Sequence, residues 1–389
     1  MADLPVRETR ATAPYSVIAK PVSADCNLEC HYCYYRRVAD MYPDPADRRM
    51  SHEVVEQYAL QVTGDSGPRA VFAWQGGEPL LAGRAFFEEA FRLQRRHSPP
   101  GQTIVNTVQT NGTLIDEEWC ALLKQHSVLV GLSMDGPAGV HDRNRVDARG
   151  RGSHAAAERA LKLLRQAEVE FNVLVVVSRA NAASGREVLR YLVDRGVRWV
   201  QFIPCAERDA DGRPTSQSVD GPAYGRFMCD VFSGWYPKHV GEVSVRTFDN
   251  IMQRAVGGPP EECVFSPTCG NAVILEANGD LYACDHFVYP DFRLGNIMEA
   301  PVRSLVRRAP CQTLARAKLN PPGRCAACPY EGLCYGGCPK ARFDPVSRGF
   351  GDPVLCEGYE MLFRTAFEPL REIGWRAVRG QRKRAIRHP

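Results

Sequence analysis

Six short apolar segments, at residues 15–20, 70–74, 104–109, 128–133, 171–177 and 198–203, punctuate the first half of this chain. Between them lie stretches with apolar residues at three- and four-residue spacing, over 51–62, 84–96, 116–126, 153–168 and 184–195. That spacing predicts amphipathic helices, and several of them open on Ser or Asp, residues that cap helix N-termini. Strand and helix in alternation demand a parallel sheet with crossover helices. The fold class is therefore α/β. With six strands rather than eight, the expected architecture is a partial (β/α)6 barrel of the TIM type, open on one side and able to admit a bulky substrate. Such barrels carry their chemistry at the carboxyl ends of the strands. Here four strand ends in succession carry polar or Gly-rich sequences: 26–33, Gln75-Gly76-Gly77-Glu78-Pro79, Thr110-Asn111-Gly112 and Met134-Asp135-Gly136-Pro137.

Past residue 207 the alternation stops. Residues 207–220 are polar and contain Gly, Pro and Ser, which reads as a loop, and 221–235 reads as a bridging helix. From 263 to 356 the chain packs nine of its fifteen cysteines among Gly, Pro and short strand-like segments at 272–276 and 280–283. The expected organisation is an N-terminal extension at 1–14, the barrel at 15–206, a bridging region at 207–262, a small cysteine-rich domain at 263–356, and a closing helix with a basic tail at 357–389.

Charge and hydropathy exclude two classes of partner. Without the six cations of 376–387, the formal charge of +4 becomes −2, so the basic excess belongs to a short tail expected to be solvated. No nucleic-acid role follows. Apolar runs such as 173–177 fall far short of the roughly 20 residues that cross a bilayer, and the first residues have no apolar core of a signal peptide. A cytoplasmic chain without membrane contact is expected. In that compartment thiols stay reduced, so fifteen cysteines point to metal ligation rather than disulfides.

The first constellation is Cys26-x3-Cys30-x2-Cys33, at the end of the first strand. Three thiolates on a four-iron cubane leave one iron without a protein ligand, free to hold a small chelating molecule. Zinc is the alternative, with His31 as fourth ligand, although its place inside the C-x2-C loop makes joint ligation awkward.

This spacing, with the aromatic Tyr32 before the last Cys, resembles the signature of the radical S-adenosylmethionine (radical SAM) enzymes. Gly76-Gly77-Glu78-Pro79 resembles the GGEP motif of that family, which lines the methionine amino group. By the same resemblance Ser133 and Arg145 contact the methionine carboxylate and ribose, and backbone at Tyr32, Gly77 and Ala206 frames the adenine or methionine.

A second constellation runs Cys269-x9-Gly279-x4-Cys284, then Cys325-x2-Cys328-x5-Cys334-x3-Cys338, and finally Cys356. It resembles the SPASM extension of peptide-modifying radical SAM enzymes, which binds two auxiliary four-iron clusters. The resemblance implies that Cys263, Cys269, Cys284 and Cys338 hold one cluster, and Cys325, Cys328, Cys334 and Cys356 the other. With the cluster on Cys26, Cys30 and Cys33, the expected cofactors are three [4Fe-4S] clusters and S-adenosyl-L-methionine. Complete thiolate ligation favours an electron-transfer role for the auxiliary pair. Two zinc knuckles are the alternative that C-x2-C spacing alone permits. Cys120, Cys205, Cys229 and Cys311 fall outside every motif and read as small hydrophobes; Cys205 ends strand six beside the expected site, within reach of the cofactor but with no catalytic role.

Within the family, Ala73–Pro79, Gln109–Asp116, Gly131–Pro137, Gln201–Cys205 and Arg293–Ile297 are similar to the anaerobic sulfatase-maturating enzymes. Those enzymes oxidise a peptidyl Cys or Ser of a sulfatase to Cα-formylglycine, starting with a 5′-deoxyadenosyl radical that takes a hydrogen from Cβ. The resemblance assigns the general base to Asp285, directly after Cys284, since a carboxylate there can take the thiol or hydroxyl proton. His286 reads as supporting it. The implied partners are a sulfatase polypeptide and an external electron donor such as flavodoxin or ferredoxin. Two other readings stay open: a SPASM enzyme forming thioether or carbon-carbon crosslinks in a ribosomal peptide, and a non-enzymatic zinc-binding or electron-transfer module. Only 25 residues precede Cys26, too few for the leader-binding domain that crosslinking enzymes often carry.

Overall fold

The computed structural model describes residues 15–387. The 1–14 extension and the last two residues of the basic tail lie outside the described residues. Ten strands form one sheet: β1 Ser16–Ala19, β2 Arg69–Trp74, β3 Thr103–Thr110, β4 Leu129–Ser133, β5 Phe171–Val177, β6 Trp199–Pro204, β7 Ser244–Val245, β8 Ala272–Leu275, β9 Asp280–Tyr282 and β10 Arg293–Asn296. Their order is β10-β9-β8-β1-β2-β3-β4-β5-β6-β7. Strands β1 to β6 are the six expected from the sequence, each parallel to the next. They build the partial barrel.

The sheet does not stop where the alternation stops. β7 adds in parallel to β6. On the other side β8 runs parallel to β1 over Ser16 to Ala19, and β9 and β10 continue it antiparallel. Thus the strands of the cysteine-rich region extend the barrel sheet. The carboxyl end of β1 and the cysteines after β9 are neighbours although some 260 positions separate them, and this places the second constellation beside the first.

Five crossover helices follow the strands: His52–Asp65, Arg84–His97, Glu117–Gln125, His154–Gln166 and Gly185–Asp194. Ser51 and Asp116 cap two of them by accepting from Val54 N–H and Trp119 N–H. Ser153 and Ser184, also expected as caps, make no such bond. The Ser153 hydroxyl donates instead to Arg145 O at 2.8 Å, beneath the site.

The bridging helix is Gly221–Trp235, capped by Asp220. It packs against the closing helix, Cys356–Arg387, where Gly225 and Gly358 meet so closely that a Cβ on Gly225 would stand 2.7 Å from Gly358 Cα. That helix runs on through most of the basic tail. In the aromatic core between β2 and its helices Trp74 meets Tyr58, Phe86 and Phe87 edge to face at 5.4, 5.8 and 5.6 Å between ring centroids, the geometry that ring quadrupoles favour. No helix among the described residues is long and apolar enough to cross a membrane.

Candidate active site

The carboxyl ends of the barrel strands converge on a cavity of about 170 Å³. Each strand end contributes to its wall: Lys20 after β1, Gly76 and Gly77 after β2, Asn111 after β3, Ser133 in β4, Val176 in β5, and Pro204 and Cys205 at the end of β6. Cys26, Cys30 and Cys33 open into the same space with Tyr32 and Arg145. Of the residues expected to contact S-adenosylmethionine, Tyr32, Gly76, Gly77, Ser133 and Arg145 line the cavity. Glu78 lies beneath it, fully buried. Ala206 faces an adjoining cavity with Glu207 and Ser218.

Two glycines let the turn after β2 approach the cysteine loop. A Cβ on Gly77 would stand 1.9 Å from Asp25 O, which only a residue without side chain tolerates. Gly77 N–H donates to Ser23 O at 2.7 Å and Glu78 N–H to Asp25 O at 2.8 Å, so the turn is laced to the segment leading into Cys26. The Glu78 carboxyl accepts from Thr110 Oγ1, Asn111 N–H and Leu80 N–H. Burial nevertheless pushes it up to about 7, the three hydrogen bonds restraining the rise.

Arg145 is aimed by Asp135, which the sequence places in the strand-end segment after β4 without revealing its role. Arg145 Nε stands 3.0 Å from Asp135 Oδ2, both side chains buried. Asp135 also accepts from Tyr32 Oη at 2.6 Å and Val176 N–H at 2.9 Å. One buried carboxylate therefore couples the aromatic beside Cys33, the arginine and β5.

Asp285 stands at the side of the cavity where the second constellation meets β1. Its Oδ1 accepts from Lys20 Nζ at 2.6 Å and its Oδ2 from Tyr34 Oη. Burial opposes a charged carboxyl here, but the Lys20 ammonium and the His286 ring, with the hydrogen bonds from Lys20 and Tyr34, outweigh it and hold Asp285 below its ordinary value. Lys20, Tyr34 and His286 line the cavity. Lys20 and Tyr34 are functional candidates that sequence reasoning missed. No motif marks them, because their role depends on a partner some 250 residues away.

The remaining cysteines sort themselves by position. The Cys284 thiol feels the charges of Cys269, Cys338 and Cys263. The Cys325 thiol feels those of Cys356 and Cys328, and Cys334 those of Cys356 and Cys325. Cys263, Cys269 and Cys338 thus lie near Cys284, and Cys328, Cys334 and Cys356 near Cys325. All fifteen cysteines are free thiols, with Cys120, Cys205 and Cys311 buried and Cys229 half-buried outside the sets. Among the described residues, no three His, Cys, Asp or Glu side chains form a cage for a single metal ion. Burial raises the thiols, Cys26 and Cys338 to about 12 and Cys30 and Cys269 to about 11, so they ionise at neutral pH only against a bound cation. One triplet and two quartets of sulfur donors fit iron-sulfur clusters.

Comparison with known proteins agrees with this geometry. The Radical SAM superfamily pattern matches residues 21–192 and the SPASM iron-sulfur cluster-binding domain residues 263–329. The chain is 36% identical to the serine-type anaerobic sulfatase-maturating enzyme of Klebsiella aerogenes, over 95% of this chain and 92% of that one. It is 34% identical to the cysteine-type enzyme of Clostridium perfringens, over 92% and 97%. The solved structure of native anSMEcpe with bound AdoMet and Cp18Cys peptide superposes with a TM-score of 0.87 at 33% identity, covering 94% of this chain and 99% of that one. Streptococcus suis SuiB bound to S-adenosylmethionine shares the fold, with a TM-score of 0.59 at 16% identity over 88% of this chain and 77% of that one.

Proposed function

This chain belongs to the anaerobic sulfatase-maturating enzymes, which are radical SAM enzymes with a SPASM region, and from that premise we propose that it oxidises a peptidyl Cys or Ser of a sulfatase to Cα-formylglycine. The observation that carries the reading is the placement of Asp285, clamped by Lys20 and Tyr34, beside the cavity into which Cys26, Cys30 and Cys33 open.

In this reading Cys26, Cys30 and Cys33 hold the cluster that binds S-adenosyl-L-methionine. Cys263, Cys269, Cys284 and Cys338 hold one auxiliary cluster, and Cys325, Cys328, Cys334 and Cys356 the second, for three [4Fe-4S] clusters in all. When bound, these groups supply a carbon radical that takes a hydrogen from Cβ of the target residue and an acceptor for the electron left behind. The chain supplies the rest. Tyr32, Gly76, Gly77, Ser133 and Arg145 bind and orient the sulfonium ligand, with Glu78 buttressing the turn from below and Ala206 framing it through its backbone.

Asp285 accepts the proton from the target thiol or hydroxyl as the Cβ centre is oxidised. Lys20 and Tyr34 hold both carboxylate oxygens so that one geometry is presented. With a Cys target the product is a thioaldehyde, and water replaces its sulfur by oxygen with release of hydrogen sulfide. A sulfatase segment of the Cys or Ser type is the peptide partner, and flavodoxin or ferredoxin in the cytoplasm is the electron donor. The barrel at 15–206 then generates the radical, and the 263–356 region, reached through 207–262 and closed by the helix that begins the 357–389 segment, takes up the electron.

The test is an anaerobic assay of the iron-reconstituted protein with S-adenosylmethionine, reductant and a Cys-containing sulfatase peptide, read by mass spectrometry. Expected together are 5′-deoxyadenosine and a peptide in which sulfur is replaced by oxygen with loss of two hydrogens. Loss of two hydrogens with sulfur retained supports a crosslinking enzyme instead, and absence of 5′-deoxyadenosine defeats both.

A further inference from the structure

Between the two cysteine quartets lies a buried cation that the reaction as described does not use. Lys318, in the last turn of the helix Ala309–Leu319, is 2% exposed. Its Nζ donates to Val264 O at 2.7 Å and to Tyr335 O at 3.4 Å. Val264 follows Cys263, and Tyr335 follows Cys334, so the ammonium is fastened to the main chain beside a cysteine of each quartet. Both of its hydrogen-bond partners are neutral carbonyls. Burial disfavours its charge, and the groups that as thiolates would offset this are Cys338, Cys334, Cys269 and Cys263, again drawn from both quartets. Next along the same seam is Arg342, 3% exposed, which donates to Ala317 O at 2.6 Å and whose charge faces Cys325 of one quartet and Cys338 of the other.

A buried ammonium without a carboxylate carries a desolvation cost of several kcal/mol unless another anion compensates it. A four-iron cluster with four thiolates is such an anion, and its net charge is among the factors that set its potential. Fixed positive charge in a medium of low dielectric stabilises the reduced, more negative form of a nearby cluster.

We propose that Lys318 is a counter-cation shared by the two auxiliary clusters, raising the reduction potential of both and thereby positioning them as electron acceptors. The inference rests on the reading that each quartet holds a cluster. It assigns Lys318 no contact with substrate; the residue acts through the clusters.

The experiment is a redox titration followed by electron paramagnetic resonance on the full-length, anaerobically reconstituted protein, as wild type, Lys318→Met and Lys318→Gln. The Gln variant keeps donors for the two carbonyls and removes the charge. In both variants the two auxiliary couples become harder to reduce by about tenfold in the equilibrium constant, or about 59 mV for one electron. The cluster on Cys26, Cys30 and Cys33 titrates as in the wild type. Auxiliary couples that stay at wild-type positions in a variant with full iron content overturn the proposal, as does a shift confined to one quartet. Loss of auxiliary iron in both variants assigns Lys318 to the fold and also overturns it. Iron and sulfide analysis of the wild type separates the two levels: a shortfall of two clusters there defeats the cluster reading itself, before any variant is compared.

Discussion

The Lys20 ammonium and the Asp285 carboxylate meet at 2.6 Å, one from the end of the first barrel strand and the other from the turn after Cys284. Lys20 is 1% exposed and Asp285 16% as side chains, so the pair is shielded from salt. The parallel pairing of β1 with β8 brings them together, and the same register carries the radical-generating end of the barrel to the edge of the auxiliary site. Asp285 is thus held by the barrel although the cysteine-rich region encodes it.

Asp285→Asn is expected to separate the two halves of the reaction. An amide of the same shape cannot take the proton, whereas the cavity lined by Cys26, Cys30 and Cys33 is left intact. Formation of 5′-deoxyadenosine continues and formylglycine falls by roughly 10²–10⁴-fold, the range for loss of a positioned base. Chromatography of nucleoside and peptide from the same reaction checks it. An undiminished aldehyde yield removes Asp285 from this role.

Lys20→Met tests the clamp without touching the acid. A charge-assisted hydrogen bond contributes about 1.5–3 kcal/mol, equivalent to roughly a tenfold to hundredfold change in rate. Formylglycine should decline by that factor while the iron content is unchanged, because Lys20 binds no cluster in this arrangement. A parallel loss of 5′-deoxyadenosine would show that Lys20 serves the first half of the reaction instead.

Gly77→Ala is expected to disable the site through the backbone. Its new Cβ would lie 1.9 Å from Asp25 O and 2.4 Å from Asp25 C, so the segment before Cys26 must move. Iron on the first triplet and cleavage of S-adenosylmethionine are lost together. Gly64→Ala is the control: nothing lies within 4 Å of that added carbon, it sits in the last turn of the helix His52–Asp65, and it should leave iron content and stability undiminished. Iron analysis and thermal unfolding of the two variants decide the matter.

The contrast between Gly77 and Lys20 explains what the sequence made legible. Gly77 belongs to a local pattern, a strand end followed by Gly-Gly-Glu-Pro, and local patterns locate β1 to β6 and the triplet of cysteines. Lys20 carries no such mark. A lysine at a strand end is ordinarily exposed, and its burial becomes intelligible only once β8 is known to lie against β1, a pairing between segments some 255 residues apart. The same holds for Lys318. Ser153 caps no helix because its hydroxyl is turned to the Arg145 carbonyl, to which it donates, and to the His141 ring.

His141 gives a test of the support under Arg145 that needs no substrate. Its ring is buried, with Nδ1 accepting from Asp135 N–H at 3.3 Å and Nε2 3.0 Å from Ser153 Oγ. Both contacts suit a neutral imidazole. Burial, aided by the positive charge of Arg145, pushes it down to about 3 from an ordinary 6.5. Below about pH 6.5 the unfolded chain therefore takes up a proton that the fold refuses. The stabilisation is complete above that pH and is lost as pH falls toward 3, with a limiting slope of about 1.4 kcal/mol per pH unit. Between pH 7 and 5.5 the wild type should lose about 1.2 kcal/mol from this group. His141→Gln, whose amide offers an acceptor and a donor but does not titrate, should lose less by that amount, as measured by denaturant unfolding at the two pH values. Equal losses in the two proteins would mean that the imidazole is protonated in the fold, and that Asp135 N–H, and with it the aim of Arg145, is held by something other than Nδ1.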